Sequence, residues 1–234
     1  TAGLAEVVWG DEDLAADLRH KAEDLKARFD RDFWMQDRGY YALALDGEGR
    51  RVDSITSNAG HLLWSGIVPE GRAGAVVRRL MDPDTLFSGW GVRTMSKEDG
   101  GYSPIEYHNG TVWPHENSLV ACGLYRYGYQ TEATRITSAL VDAATHFDYR
   151  LPEVFAGYDR SETGFPVEYP TASSPQAWAS GTIPLLVRAA LGVRPDPLRR
   201  ELSTARLLPR ELSNLRIQGV SAFGEKFDLP AESE

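Results

Sequence analysis

The sequence predicts an all-α fold in which exposed and buried helices alternate along the chain. Three amphipathic segments carry one apolar stripe on a charged surface, at residues 11–34, 70–81 and 132–147. Three segments with little charge stand between or after them, at 57–67, 114–128 and 174–193. Consecutive helices with short links pack as antiparallel hairpins. The alternation therefore predicts an (α/α)6 toroid, and roughly three hairpins amount to about half of one.

The first elements follow from caps, stripes and turns. Asp11 or Asp13 can cap the helix of 11–34, whose stripe runs from Leu14 to Phe33 at spacings of three and four. Residues 39–54 predict a short hairpin with Asp46 and Gly47 at the turn. The segment 57–67 predicts a buried helix capped by Ser57 or Asn58. The helix of 70–81 ends near Pro83.

The second half of the chain begins with residues 107–128, YHNGTVWPHENSLVACGLYRYG. Asn109 or Thr111 can cap this helix, Pro114 fits its first turn, and Gly128 can end it. The segment 174–193 is apolar almost all round and predicts an interior helix. In the tail after residue 193, a short alternation of apolar and polar residues predicts one or two strands. We expect residues 1–193 to form the C-terminal half of a toroid domain, with 194–234 as an extension packed on it.

Composition excludes several classes of function. The chain has 234 residues and a net charge of −9, which disfavours nucleic-acid binding. No apolar run approaches the roughly 18 residues that a membrane span needs. The single cysteine, Cys122, rules out an intrachain disulfide and fits a reducing compartment, so we expect a cytoplasmic protein. Because the first residue is Thr1, we also expect a processed chain or a fragment.

Metal, nucleophile and nucleotide chemistry find little support in the motifs. His108, His115 and Glu116 are a superficial ligand set without an HExxH pattern, so we predict no metal and no cofactor. Cys122 lies in an apolar helix and predicts burial rather than catalysis. The sequence has no glycine-rich phosphate loop.

Carboxylates are the remaining candidates for catalytic groups. Paired carboxyl groups are typical of glycoside hydrolysis, which uses one carboxylic acid and a second carboxylate. The loop candidates are Glu106, Glu116, Glu153 and Glu168. Glu153 stands in an apolar and aromatic stretch that can hold it rigidly, or it is a surface glutamate on a connector. Glu116 lies in the first turn of a helix, where it either stabilises the helix start or contacts substrate.

Four ordered motifs resemble a known family. They are GWGVRTMS (89–96), SPIEYHNGTVWPHENSLVACGLYRYG (103–128), LPEVFAGY (151–158) and SPQAWASG (174–181). Together they resemble the C-terminal part of bacterial glycogen-debranching-type proteins, the amylo-α-1,6-glucosidases. These are related to glucoamylases and other inverting α-glycosidases with an (α/α)6 toroid.

The resemblance implies roles for particular residues. It implies that Glu153 is the general base that activates water. It makes six further residues candidate substrate contacts and two tryptophans candidate pocket walls: Arg93, His108, Asn109, Trp113, His115 and Glu116, with Trp90 and Trp178. It implies a general acid, an aspartate in a tryptophan-rich motif of the preceding half, and no such run occurs in this sequence. The expected function is therefore hydrolysis of α-glucosidic linkages, with the chain as a piece that lacks its acid.

Two other functions stay open at this point. An α/α-toroid sugar epimerase or isomerase could use His61, His108 and His115 as acid and base. Alternatively, the chain is a non-catalytic carbohydrate-binding half that docks on the missing half of the toroid or on a second copy of itself.

Overall fold

The computed structural model describes residues 1–205 and 215–229. Its helices are α1 (Ala2–Val7), α2 (Glu12–Phe33), α3 (Asn58–Ser65), α4 (Glu70–Leu80), α5 (Pro114–Arg126), α6 (Gln130–Thr145), α7 (Arg160–Thr163), α8 (Ala177–Ser180) and α9 (Thr182–Ala190). Its strands are β1 (Trp34–Met35), β2 (Tyr40–Tyr41), β3 (Ala44–Leu45), β4 (Arg51–Val52), β5 (Arg194–Asp196), β6 (Glu201–Ser203), β7 (Ile217–Ala222) and β8 (Glu225–Leu229).

The helices form two layers of a partial toroid, as predicted. α5 packs between α3 and α9 in an inner row, while α4 and α6 lie against this row from outside. Glycine permits the close approach of α3 and α5. A Cβ on Gly123 would lie 2.6 Å from the backbone nitrogen of Trp64, and one on Gly60 would lie 2.4 Å from Val120. Within residues 1–205 and 215–229, the four antiparallel strand pairs are hairpins of neighbouring strands.

Local signals predicted most element boundaries correctly. Asp11 caps α2, since its Oδ1 accepts a hydrogen bond of 2.9 Å from the Leu14 amide. Asp46 closes the β3–β4 turn by accepting from the amides of Glu48 and Arg50. Pro114 is the first residue of α5, and Gly128 ends that helix with a φ of 82°.

Four predictions about the helices were wrong. Neither Asn109 nor Thr111 caps α5, because the N-cap position is Trp113 and has no side-chain cap. Ser57 stands at the N-cap of α3, but its hydroxyl donates to Glu116 instead. The apolar run 174–193 is divided at Gly181 into α8 and α9. It is also not an interior helix, because only four residues of α8 and α9 are buried: Ala179, Thr182, Leu186 and Ala190. The strands predicted in the tail are β7 and β8. Part of that prediction falls on residues 206–214, which lie outside the described residues.

An irregular ladder of single β-bridges lies beneath the N-terminal ends of the inner helices. Arg93 pairs with Val112, Val112 pairs with Phe155, and Phe155 pairs with Glu168. Asn117 of α5 is fully buried and ties the ladder to the helix: its Oδ1 accepts from the Val92 amide at 2.6 Å, and its Nδ2 donates to the Val92 carbonyl at 3.0 Å. The loops that carry the predicted site are thus fixed to the helical core.

Candidate active site

A cleft of about 570 Å³ opens at the N-terminal ends of α3 and α5. It brings together seven of the nine predicted site residues: His108, Asn109, Trp113, His115, Glu116, Glu153 and Trp178. Its wall also contains hydroxyl, amide and imidazole groups from other segments, including Thr56, Ser57, Asn58, His61, Thr94 and Tyr107. Among the described lining residues, none is a lysine or an arginine.

Glu153 is held by hydrogen bonds on both carboxylate oxygens. Oε1 accepts from the Tyr107 hydroxyl at 2.7 Å, and Oε2 accepts from the Ser173 amide at 3.1 Å. The Glu153 amide in turn donates to the Ser173 carbonyl at 3.0 Å. Phe155, two residues further on, is fully buried in the bridge ladder. The segment is therefore anchored beside the carboxylate, while the side chain itself stays partly exposed to the cleft.

Tyr107 is a site residue that the sequence analysis did not identify. Burial, together with the hydrogen bond to Glu153, raises the pKa of the Tyr107 phenol to about 12. The hydroxyl is therefore protonated at neutral pH and acts as a donor to the carboxylate. Its position directly before the His108-Asn109 pair was the only available signal, and nothing in that spacing predicts a contact with a residue 46 positions away.

Glu116 belongs to a second polar cluster on the same cleft. Its Oε1 accepts a hydrogen bond of 2.5 Å from the Ser57 hydroxyl, and Nε2 of His61 lies 3.6 Å away. The contact joins the first turns of α3 and α5. Glu116 is therefore placed to stabilise the start of α5 and also to contact a substrate, since it lies in the first turn of that helix and lines the cleft.

Aromatic rings form one side of the cleft. The His115 ring stacks on Trp178, with centroids 4.1 Å apart and an interplanar angle of 8°. Trp113 meets Trp178 edge to face at 6.4 Å, and His108 lies parallel to Trp113 at 5.8 Å. Burial lowers the pKa of His115, although neighbouring Glu116 opposes the shift. At neutral pH the ring is therefore uncharged, and it covers one face of the Trp178 indole.

Trp90 and Arg93 do not line the cleft, which corrects their prediction as substrate contacts. The Arg93 side chain is fully buried, with Nε donating to the Gly157 carbonyl at 2.6 Å and Nη2 donating to Asp159 at 2.5 Å. Trp90 is buried between His146 and the guanidinium of Arg160. Glu106 and Glu168 are exposed outside the cleft. The motif of residues 89–96 correctly placed Trp90 and Arg93 near the site loops, but it did not predict that their side chains point away from the cleft.

The described residues contain no group of three or more histidine, cysteine, aspartate or glutamate side chains that could hold a metal ion. In the same part of the chain, no helix is long and apolar enough to cross a membrane. Cys122 is half-buried in α5, where burial raises the pKa of its thiol to about 11.

Solved structures similar to this chain share its helical architecture. A GH63 mannosylglycerate hydrolase from Thermus thermophilus, in complex with glucose, aligns with a TM-score of 0.60 and 19% identity over 79% of this chain and 43% of that chain. A neutral trehalase from Saccharomyces cerevisiae aligns with a TM-score of 0.55 and 17% identity, over 75% and 31% of the two chains. A sialidase aligns with a TM-score of 0.75 and 13% identity, over 94% of this chain and 21% of that chain. These similarities show the fold, which is the predicted partial toroid with small β-hairpins.

Sequence comparison shows the family. A mannosylglycerate hydrolase from Rubrobacter radiotolerans is 32% identical over 112 residues, which are 46% of this chain and 25% of that protein. This chain thus spans a quarter of that relative. The family model for the mannosylglycerate hydrolase MGH1-like glycoside hydrolase domain matches residues 2–178, well over half of the chain. The cleft with its two glutamates and stacked rings therefore lies in a chain that belongs to the MGH1-like glycoside hydrolase family.

Proposed function

We propose that this chain supplies one half of the active site of an inverting glycoside hydrolase, with Glu153 as the general base. The observation that carries the proposal is the anchoring of Glu153 in the cleft by Tyr107 and Ser173. An inverting enzyme needs a carboxylate fixed on one face of the sugar to activate water, while a carboxylic acid protonates the leaving oxygen from the other. Rigid placement of such a base supplies much of the catalytic effect.

The general acid comes from outside this chain in our proposal. Among the described cleft residues, only Glu116 and Glu153 are carboxylates, and Glu116 is already engaged by Ser57 and lies near His61. The remaining hairpins of the toroid are the partner that brings the acid and closes the cleft. A second copy of this chain would bring the same two glutamates and no aspartate from this surface.

The cleft favours an uncharged sugar as the part of the substrate bound here. The half-exposed ring of Trp178 suits the C–H face of a hexose, and the hydroxyl and amide groups can bind its hydroxyls. Carboxylates such as that of mannosylglycerate are bound most strongly by cationic partners, and the described lining residues offer none. We therefore propose an α-glucoside of a glucan, including the α-1,6 linkage of the debranching-type proteins. We propose that in mannosylglycerate hydrolysis, by contrast, the glycerate binds on the other half.

Two measurements test the proposal. Calorimetric titration of the chain should detect weak binding of maltotriose, isomaltotriose and glucose, and none of D-glycerate. Trp178→Ala should weaken the sugar binding by about two- to tenfold, because a contact with an aromatic ring contributes about 0.5–1.5 kcal/mol beyond the buried area. Binding of D-glycerate that competes with glucose would contradict the assignment of a neutral subsite.

Turnover is then assayed with the chain alone and with the chain mixed with the part of the Rubrobacter radiotolerans hydrolase that this chain does not match. We expect none from the chain alone and hydrolysis from the mixture, which Glu153→Gln abolishes. Glu168→Gln is the matched control, because Glu168 is exposed on the same segment outside the cleft. Hydrolysis by the chain alone that Glu153→Gln abolishes would show that the acid lies within it.

A sugar epimerase is the second candidate, and the observation that favours it is the presence of His61 and His115 on the same cleft. Nε2 of His61 and Nδ1 of His115 are buried and have no hydrogen-bond partner among the described residues. If His115→Ala abolishes interconversion of free N-acyl sugars while Glu153→Gln does not, the epimerase assignment replaces the hydrolase.

A further inference from the structure

A groove of about 460 Å³ lies at the opposite end of the inner helices from the cleft. It is formed by the C-terminal ends of α3, α5 and α9 and by the start of β5. Its lining includes Trp64, Cys122 and Tyr125 together with three arginines, Arg126, Arg188 and Arg194. None of these residues takes part in the candidate active site, so the groove is independent of the proposed function.

The groove is locally positive in a chain whose net charge is −9. Within the part of the chain that the structure describes, none of the three arginines forms an ion pair with a carboxylate. Arg126 donates to the Trp64 carbonyl at 3.2 Å. Cations at helix C-termini are favoured by the helix dipole, and this alone accounts for Arg126 and Arg188. The dipole does not explain the other features of the groove.

Tyr125 is the feature that points to a ligand. Its side chain is 7% exposed, and its hydroxyl is buried without a hydrogen-bond partner among the described residues. Buried hydroxyls in folded proteins are nearly always hydrogen-bonded, because leaving one unpaired is costly. Trp64 lies in the same groove with about half of its side chain exposed. Three guanidinium groups and a half-exposed indole are thus gathered around one groove, and the unsatisfied hydroxyl of Tyr125 lies buried in its lining.

We infer that this groove binds a sugar that carries an oxyanion, as a phosphate ester or a carboxylate. Guanidinium groups bind phosphate and carboxylate through paired hydrogen bonds. The indole of Trp64 can pack on the C–H face of the sugar ring, and the Tyr125 hydroxyl can donate to one of its oxygens. The volume falls within the range of small-molecule sites. The chain then has two sugar sites at opposite ends of its inner helices, one neutral and one anionic.

Isothermal titration calorimetry with four probes tests the inference: glucose 6-phosphate, glucuronate, glucose and inorganic phosphate. At least one of the two anionic sugars should bind saturably and more tightly than inorganic phosphate, and the tighter of the two identifies the oxyanion. Raising the ionic strength should weaken this binding and leave glucose binding at the cleft unchanged.

Two variants locate the binding. Tyr125→Phe removes only an unpaired hydroxyl, so the protein should fold normally and bind the anionic sugar about tenfold more weakly. Arg188→Gln should weaken binding by at least the same factor. Tyr149→Phe and Arg28→Gln are matched controls at exposed positions outside the groove, and both should bind as the unmodified chain does. Failure of both anionic sugars to bind, or binding that Tyr125→Phe and Arg188→Gln leave unchanged, would overturn the inference. Equal affinity for inorganic phosphate would overturn its sugar component.

Discussion

Arg93 is expected to stabilise the segment that carries Glu153, and Arg93→Met tests this. The substitution keeps an unbranched side chain as far as the position of Nε and removes the rest of the guanidinium with its charge. It deletes the hydrogen bond from Nε to the Gly157 carbonyl and the ion pair with Asp159. Gly157 also donates its amide to the Pro104 carbonyl at 2.7 Å, so Arg93 stabilises the junction of two site loops.

The magnitude follows from burial. Removing one partner of a buried ion pair costs about 3–5 kcal/mol. Here Asp159 is 19% exposed and keeps Lys97 at 3.1 Å, and Nη1 of Arg93 is buried without a partner among the described residues. Both facts reduce the loss, so we expect a decrease of about 2–3 kcal/mol in the free energy of unfolding. For a domain of this size that corresponds to a fall of roughly 4–12 °C in Tm.

Urea denaturation followed by circular dichroism measures this loss, with Arg28→Met as control. Arg28 pairs with Asp24 at 2.9 Å, but both side chains are more than half exposed, so the control should change stability by about 0–0.5 kcal/mol. If Arg93→Met costs no more than Arg28→Met, the stabilising role of Arg93 is refuted.

The pH dependence provides a second check on Arg93. Burial raises the pKa of Asp159, but hydrogen bonds from Arg93 and Lys97 outweigh it, and the net pKa lies below the ordinary value. A carboxyl with a lowered folded-state pKa contributes stability above its unfolded pKa of about 3.9 and loses it as pH falls through the folded value. The difference between the unmodified chain and Arg93→Met should therefore shrink below about pH 4. A difference that stays constant from pH 7 to pH 3 would contradict the pairing.

Three other predictions concern packing and titration. Gly123→Ala should destabilise the protein by about 1–2 kcal/mol in thermal unfolding, since the clash with the Trp64 backbone exceeds the gain in helix propensity. The control Gly71→Ala in α4, which has open space around it, should be neutral or stabilising. If Gly71→Ala destabilises the protein more than Gly123→Ala does, the close contact of α3 and α5 is contradicted. Because burial raises the pKa of Cys122 to about 11, its alkylation by iodoacetamide, followed by mass spectrometry, should be slow at pH 7 and accelerate up to pH 10. Fast labelling at pH 7 would show that the Cys122 thiol is not buried as the structure has it. Because burial lowers the pKa of His115, an NMR titration should find it below 6.5, and a higher value would contradict the buried stacking on Trp178.

The sequence predicted those features that depend on neighbouring residues. The Asp11 cap, the Asp46 turn, Pro114 at the first position of α5 and Gly128 at its end all follow from contacts or dihedral angles within four residues. The alternation of helix types also predicted the two layers, because burial of one stripe is a property of the segment itself. The cleft residues between 108 and 116 lie in the motif of residues 107–128, which drew attention because histidines, a glutamate and a tryptophan stand close together there.

Side-chain direction could not be predicted in the same way. Ser57 has a strong intrinsic preference for capping, yet its hydroxyl donates to Glu116, which is 59 residues away. Arg93 lies in a motif with Trp90, but its guanidinium turns inward because Asp159 and the Gly157 carbonyl are there to receive it. Tyr107 reaches Glu153 only after the bridge ladder has brought the two loops together. Each of these outcomes was decided by a partner that is distant in sequence.

The two ends of the inner helices differ in a way that bears on both proposals. At the N-terminal ends, where the helix dipoles are positive, the structure places Glu116 and no cation among the described lining residues. At the C-terminal ends, where the dipoles are negative, it places Arg126, Arg188 and Arg194. Dipole compensation explains the signs of Glu116, Arg126 and Arg188, so these charges alone identify neither site. What distinguishes each end is a group that compensation leaves unexplained: a carboxylate fixed by Tyr107 and Ser173 at one, and the unpaired hydroxyl of Tyr125 at the other.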